Sequence, residues 1–294
     1  MDIVLTGSTG KLGGHFWRAW NGIHDVSTLR RDMVDFRNPE AVRRRLSEME
    51  FDVLVNCAAM ATPESCEMYP SDAHRVNAET PGVMAAICHE KGARMIHFST
   101  DYVLDGSISG LKDEHAATNP VNHYGISKLD GERLVLDRCP TALVCRTSWV
   151  FGTAPPGFVE SFLDRARRGE PLDAVNDKWS MPTAMLDVER WIAALLDRRD
   201  VSGILHLTNA GEPETWWTYG SKVLEIATEL GAFPEVPRVK PATLAGTPQL
   251  SAPRPVHTAM EPHRLMVELG FPVRRWEEAA RERIQELLGP GECH

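Results

Sequence analysis

The sequence predicts an α/β chain: a doubly wound parallel sheet covered by helices, with a smaller, discontinuous lobe toward the C-terminus. Three observations carry this expectation. The first 20 residues read as strand, glycine-rich turn and helix. Short apolar runs then alternate with helical stretches as far as residue 152, the pattern of a parallel sheet with helical crossovers. At Pro155-Pro156-Gly157 that rhythm breaks, and prolines accumulate later, at 234, 237, 241, 248, 253, 255 and 262.

Asp2-Ile3-Val4-Leu5 is the opening strand, and Thr6 to Gly14 the turn that leads into a helix ending near Trp20. Glycines at 7, 10 and 13 have the spacing of a Rossmann-type dinucleotide turn. Gly7 and Gly10 let backbone approach a pyrophosphate, Gly13 lets the helix pack on the strand, and the helix N-terminus offers amide donors to phosphate. Val26 to Leu29 is the second strand. It ends in Arg30-Arg31 where a ribose-binding acid would favour NAD. Two guanidinium groups there suit a 2′-phosphate, so NADPH is the expected cofactor, with NADH as the alternative and solvent-facing arginines as the bland reading.

Residues 39–50 form a helix whose Arg43-Arg44-Arg45 run, flanked by acids, reads as a solvated face. Residues 52–59 are a buried strand ending in Cys57-Ala58-Ala59, small residues beside which a cofactor can lie. Helices around 72–77 and 81–91 lead into a central strand at 93–98. Ser99, Thr100 and Asp101 then fall at that strand's carboxyl end, where open α/β sheets hold their ligands. Tyr124 and Lys128 lie four apart at the start of the next helix and so share one face. A hydroxyl at the strand end with a phenol and an ammonium on the helix suits proton transfer to a carbonyl oxygen. A free phenol, with a pKa of about 10, needs a nearby cation to work near neutrality. Tyr-x-x-x-Lys also arises by chance on many helices, so it counts only with the glycine turn and Thr100. Thr141 to Thr147 is a further strand, followed by Ser148-Trp149. Later come a helix at 157–170, a strand at 172–175, a helix at 184–199 and a strand at 203–209 that rejoins the sheet. The expected division is 1–152 with 182–210 for the dinucleotide, and 153–181 with 211–294 for the substrate.

Composition excludes several classes. In 294 residues, 43% hydrophobic and 25% charged describe an ordinary globular chain, and a net charge of −9 argues against a nucleic-acid partner. Six cysteines without a C-x-x-C pair make neither a disulfide framework nor a zinc site, which points to a reducing, cytoplasmic setting. No apolar run has the length of a membrane span, and a strand starting at residue 2 leaves no room for a signal peptide. No metal is expected. His89, His97 and His123 lack metal-like spacing and read as structural; Trp216-Trp217 read as core or partner-facing surface rather than sugar-stacking, and Cys293 and His294 as uninformative tail.

The chain resembles the extended short-chain dehydrogenase/reductases, and within them the dTDP-4-dehydrorhamnose reductase family. The resemblance lies in VNCAA at 55–59, VNAETPG at 76–82, HFSTDYVLDG at 97–106, YGISK at 124–128, RTSWVFG at 146–152, VNDKWSMPTA at 175–184 and ILHLTNAGE at 204–212. It implies a catalytic set of Thr100, Tyr124 and Lys128, and a substrate site lined by Thr100, Asp101, Tyr102, Trp149, Asn176 and Arg254. Cofactor contacts are expected from Gly7, Thr9, Gly10, Lys11, Leu12, Gly13, Arg30, Arg31, Asp35, Phe36, Cys57, Ala58, Ala59, Asn77, Tyr124 and Lys128. The implied activity is NADPH-dependent reduction of the C4 ketone of a dTDP- or other nucleotide-linked 4-keto-6-deoxy sugar, by a monomer or homodimer. Sister 4,6-dehydratases carry Asp-Glu after the threonine; Asp101-Tyr102 stands here, so the acid for elimination is missing. His15 replaces a glutamate that the family uses for a metal-bridged dimer, and His257-Thr258 replace a late Asn-Ser. Two other readings remain: a non-catalytic NADP-binding regulatory subunit of the same fold, and a sugar-nucleotide epimerase.

Overall fold

A computed structural model describes residues 1–289; Cys293 and His294 lie outside the described residues. The chain opens with β1 (Asp2–Thr6), α1 (Lys11–Trp20), β2 (Asp25–Leu29), α2 (Pro39–Ser47) and β3 (Val53–Asn56). Two short helices, α3 (Pro63–Met68) and α4 (Pro70–His74), precede a π-helical turn (Arg75–Glu79) that runs straight into α5 (Thr80–Lys91). Strand β4 (Arg94–Thr100), a 3₁₀ turn (Asp101–Val103), α6 (His123–Arg138) and β5 (Leu143–Thr147) follow. The sheet is wholly parallel in the order β2-β1-β3-β4-β5 and is closed by β10 (Gly203–Leu207), paired with β5. Strands β1, β3, β4 and β5 are buried on both faces because helices cover both.

The central strand is longer than its apolar run indicates, continuing through Ser99 to Thr100. Its polar end is tolerated because Ser99 donates to a buried carboxylate, Glu132. Helix α6 starts on a genuine cap: Asn122 Oδ1 accepts from the Gly125 amide at 2.7 Å. It packs so tightly on the π turn that a Cβ on Gly131 would stand 2.1 Å from the Asn77 carbonyl oxygen. Gly131→Ala is expected to cost about 1–3 kcal/mol of stability through overpacking. A melting temperature equal to wild type would refute that reading of the contact.

The chain leaves the sheet at β6 (Val150–Phe151), α7 (Phe158–Arg167), β7 (Leu172–Val175) and β8 (Trp179–Ser180). It returns through β9 (Thr183–Ala184) and α8 (Met185–Leu195) before β10. The proline-rich remainder is more regular than the sequence indicates. It holds β11 (Glu214–Thr215), α9 (Trp216–Glu229), β12 (Val239–Ala242), α10 (His263–Leu269) and α11 (Trp276–Leu288). Apart from Pro241 inside β12, the late prolines lie between these elements, and α9 spans 14 residues and starts on a Thr215 cap.

One apolar core lies between the sheet and α1 and α8, and takes in Leu265 and Val273 from the late chain. A second lies on the opposite sheet face beneath α2 and α5. A third, built on Phe162, Tyr219, Val223, Trp276 and Ile284, holds the second lobe. The Arg43–Arg45 run is indeed a solvated face, with Arg43 beside Glu40 and Arg45 beside Glu48. Among the described residues no helix is long and apolar enough to cross a membrane.

Candidate active site

The loops at the carboxyl ends of β1, β2 and β3 enclose a cleft of about 700 Å³. Gly7, Thr9, Gly10, Arg30, Arg31, Asp35, Phe36, Cys57, Ala58 and Ala59 line it, all of them residues singled out from the sequence. Six other expected cofactor contacts, Lys11, Leu12, Gly13, Asn77, Tyr124 and Lys128, are not part of that lining. Gly13 is buried under the turn, where a Cβ would meet the Gly7 carbonyl oxygen at 2.4 Å. Lys11 is exposed on the first turn of α1, and Leu12 packs partly into the core. Asn77 supports the cleft floor: it accepts from the Met60 amide and donates to the Met60 carbonyl, both at 2.9 Å. Sequence reasoning missed Arg37, Met60, Thr62, Ser65 and Asp72, which arrive on loops and on the short helices α3 and α4.

A dinucleotide fits this cleft. Gly7 sits at φ 68°, and a Cβ there would stand 2.7 Å from the Cys57 backbone, so only glycine holds the turn closed against β3. Gly10 caps α1 without a side-chain hydrogen bond, and no acid lies in the first turn, which leaves amide donors for a phosphate. Arg30 is held in a two-pronged pair by Asp32, at 3.1 and 2.9 Å, on the rim of the cleft.

Next to the cleft, the end of β4 and the start of α6 bring Thr100 and Tyr124 together. Burial pushes the phenol above its usual value; the neighbouring Thr100 hydroxyl favours the ionised form without offsetting it, and the Asp101 charge adds to burial. The help expected from Lys128 is absent from this arrangement. Lys128, 2% exposed, donates to the Phe98 carbonyl oxygen at 2.6 Å and lies 3.4 Å from His97 Nε2. Burial pulls it down to about 8, against the opposing charge of Glu132.

Asp101 is the junction beneath the site. Its Oδ2 accepts from Ser180 Oγ at 2.9 Å and from Thr258, and its Oδ1 from Thr100 at 3.2 Å. Lys178, fully buried and pulled down by burial, stands 3.9 Å from that carboxylate and 5.2 and 5.4 Å from the rings of Tyr102 and Trp149. Nothing in the sequence marks Lys178, because its partners come from three distant segments.

Tyr102 meets Tyr124 edge-on at 5.5 Å. Trp149 holds a left-handed backbone at φ 42°, its indole N–H is buried without a partner, and it stacks on Trp216 at 5.3 Å. Backbone of this kind in a bulky residue is a feature of ligand sites. Trp217 follows the core reading, with Nε1 donating to the Val239 carbonyl oxygen at 3.1 Å. Arg254 binds Glu64 at 2.7 Å and approaches the Tyr102 hydroxyl, while its Nε is buried unpaired. Asn176 is exposed, its amide bonded to the Ala242 carbonyl oxygen at the edge of the second lobe. Among the described residues no group of three or more His, Cys, Asp or Glu is placed to hold a metal.

Comparisons with known proteins agree with this geometry. The family described as the RmlD substrate binding domain matches residues 1–288. The chain belongs to this family. A probable dTDP-4,6-dihydroxy-2-methyloxan-3-one 4-ketoreductase of Streptomyces antibioticus is 35% identical over 98% of this chain and 96% of its own length. The dTDP-4-dehydrorhamnose reductase of Salmonella typhimurium is 30% identical over 98% of each chain. Among solved structures, a Bacillus anthracis dTDP-4-dehydrorhamnose reductase in complex with NADP superposes with a TM-score of 0.85 at 26% identity, covering 97% of this chain and 98% of that one.

Proposed function

We propose that this chain is an NADPH-dependent reductase of the C4 ketone of a dTDP-linked 4-keto-6-deoxy sugar. The observation that carries the reading is the Thr100–Tyr124 hydroxyl pair at the end of β4, set between a dinucleotide cleft and the aromatic wall of Tyr102 and Trp149. The named relatives supply the substrate class. The glycine turn, Arg30 and Arg31 would hold the cofactor, which when bound supplies a hydride to the ketone carbon.

Reduction leaves negative charge on the carbonyl oxygen, and Tyr124 donates its phenolic proton there. Burial that keeps the phenol protonated through the neutral range suits this direction of reaction, since the donor must carry its proton at the start. The Thr100 hydroxyl, which donates to Asp101 Oδ1 at 3.2 Å, would turn its single proton to the same oxygen when the sugar is bound. Tyr102, Trp149 and Arg254 form the wall for the sugar nucleotide, and Lys128, one turn along α6, is the proton source that restores the phenol.

The test is loss of nicotinamide absorbance with NADPH and a panel of dTDP-4-keto-6-deoxy sugars, dTDP-4-dehydrorhamnose included. Oxidation that requires the sugar is expected. Cofactor binding with no oxidation across the panel would favour the non-catalytic alternative. Replacing Arg30 and Arg31 together by Ala is expected to raise the KM for NADPH at least about 10-fold more than that for NADH, because each guanidinium lost removes a charge-assisted bond to the 2′-phosphate. Equal losses for both cofactors would remove the 2′-phosphate assignment.

A further inference from the structure

His97 is fully buried in the middle of β4, between β3 and β5, and its ring reaches the functional lysine. Its protonation follows from its neighbours. The Ala58 amide, which can only donate, points at Asn56 Oδ1 at 3.2 Å, and the Thr6 hydroxyl donates to the same oxygen at 2.6 Å. That orients the Asn56 side chain, so its Nδ2 faces His97 Nδ1 at 2.9 Å and donates to it. Nδ1 is then an acceptor, and the ring, which burial keeps neutral, carries its proton on Nε2. Nε2 lies 3.4 Å from Lys128 Nζ, whose other close partner is the Phe98 carbonyl oxygen at 2.6 Å.

We propose that His97 is a positioning residue that sets the protonation of Lys128: held by Asn56 as the Nε2–H tautomer, it aims a ring N–H at Nζ that a neutral amine can accept and an ammonium cannot. The other titratable groups near Nζ are Glu132 on its own helix, Cys57 at the end of β3, and Cys66 on α3. Glu132 supports the ammonium, while burial pushes both thiols up and keeps them neutral. Burial pulls Lys128 down to about 8 against the support of Glu132, and the imidazole N–H facing Nζ acts in the same direction as burial, so the amine titrates close to working pH instead of near that of a free lysine. A lysine poised there can pass a proton toward Tyr124 after each turnover, whereas one held as a permanent cation releases it poorly. This use of Lys128 rests on the reductase reading; the tautomer and its effect on the amine do not.

Two measurements on the cofactor-free protein test the proposal, with a third on turnover. Long-range nitrogen-15 spectra of the histidine rings, with His97 assigned by His97→Gln, are expected to place its proton on Nε2; a proton on Nδ1 would overturn the proposal. Asn56→Asp keeps the acceptor that Thr6 and Ala58 need but turns the second oxygen toward His97, drawing the ring proton to Nδ1 and leaving Nε2 to accept from the ammonium. In that variant the nitrogen-15 titration of the Lys128 amine is expected to move up by at least about one pH unit, a factor of 10 in its proton affinity. The alkaline limb of kcat should move with it. A reversed tautomer with an unmoved Lys128 titration would overturn the proposal, and His97→Gln, read by the same titration, takes its place if Asn56→Asp does not fold. If the wild-type protein turns over no 4-keto sugar, the reductase reading fails while the two spectra still decide the role of His97.

Discussion

Tyr124→Phe is expected to lower kcat by about 10²–10⁴-fold while leaving the affinity for NADPH near wild type. The substitution removes one oxygen. It leaves the ring against Tyr102, the Asn122 cap and the packing of α6 on β4 in place. What is lost is the proton donor for the developing alkoxide, because Thr100 is already engaged with Asp101 and the nearest alternative acid, Lys128, points at Phe98. Steady-state kinetics with the preferred sugar and fluorescence titration of NADPH separate the two effects. Turnover within a few-fold of wild type would take the acid role from Tyr124. A parallel loss of cofactor binding would mean that the ring, not the hydroxyl, matters.

The second large effect concerns a buried charge pair one helical turn beyond Lys128. Glu132 accepts from Arg146 through both oxygens, at 2.9 and 2.7 Å, and also from Ser99, with both charged side chains less than 5% exposed. The pair fastens α6 to β4 and β5, and so holds the helix that carries Tyr124. Removing either partner alone leaves the other charge dry and unpaired; Glu132→Ala and Arg146→Ala are each expected to cost about 3–5 kcal/mol. Removing both takes away the stranded charge, so the double variant should be destabilised far less than the sum. Urea unfolding of the four proteins closes the cycle. Additive losses would show that the two residues act through separate contacts.

The legible parts of the fold share one property: their cause is local. The turn at residues 7–13 announces itself because strand, glycines and helix are contiguous, and the structure closes it on backbone contacts only glycine allows. Tyr124 and Lys128 are legible for the same reason, being one turn apart on a capped helix. What stayed hidden depends on contacts between distant segments. His97 reads as a core histidine because its partners, Asn56 and Lys128, lie 41 and 31 residues away. Lys178 is not singled out by the sequence, because its partners Asp101 and Thr258 come from distant segments. Helices α9 and α11 were obscured by prolines that lie between them, and α3 by its length of six residues.

The last strand of the sheet, β10, is delivered only after the chain has already visited the second lobe. A fragment ending at residue 152 would therefore leave β5 as a bare edge, its Leu143 and Cys145 stripped of α8 and Leu205. Such an edge is a template for self-association, so the first half of the chain makes a poor independent module. On the division that the sequence implies, sugar preference is spread over two stretches and is not transplanted between relatives as one cassette. The graft has to be cut in two pieces, on either side of the 183–207 return stretch that completes the host's own sheet.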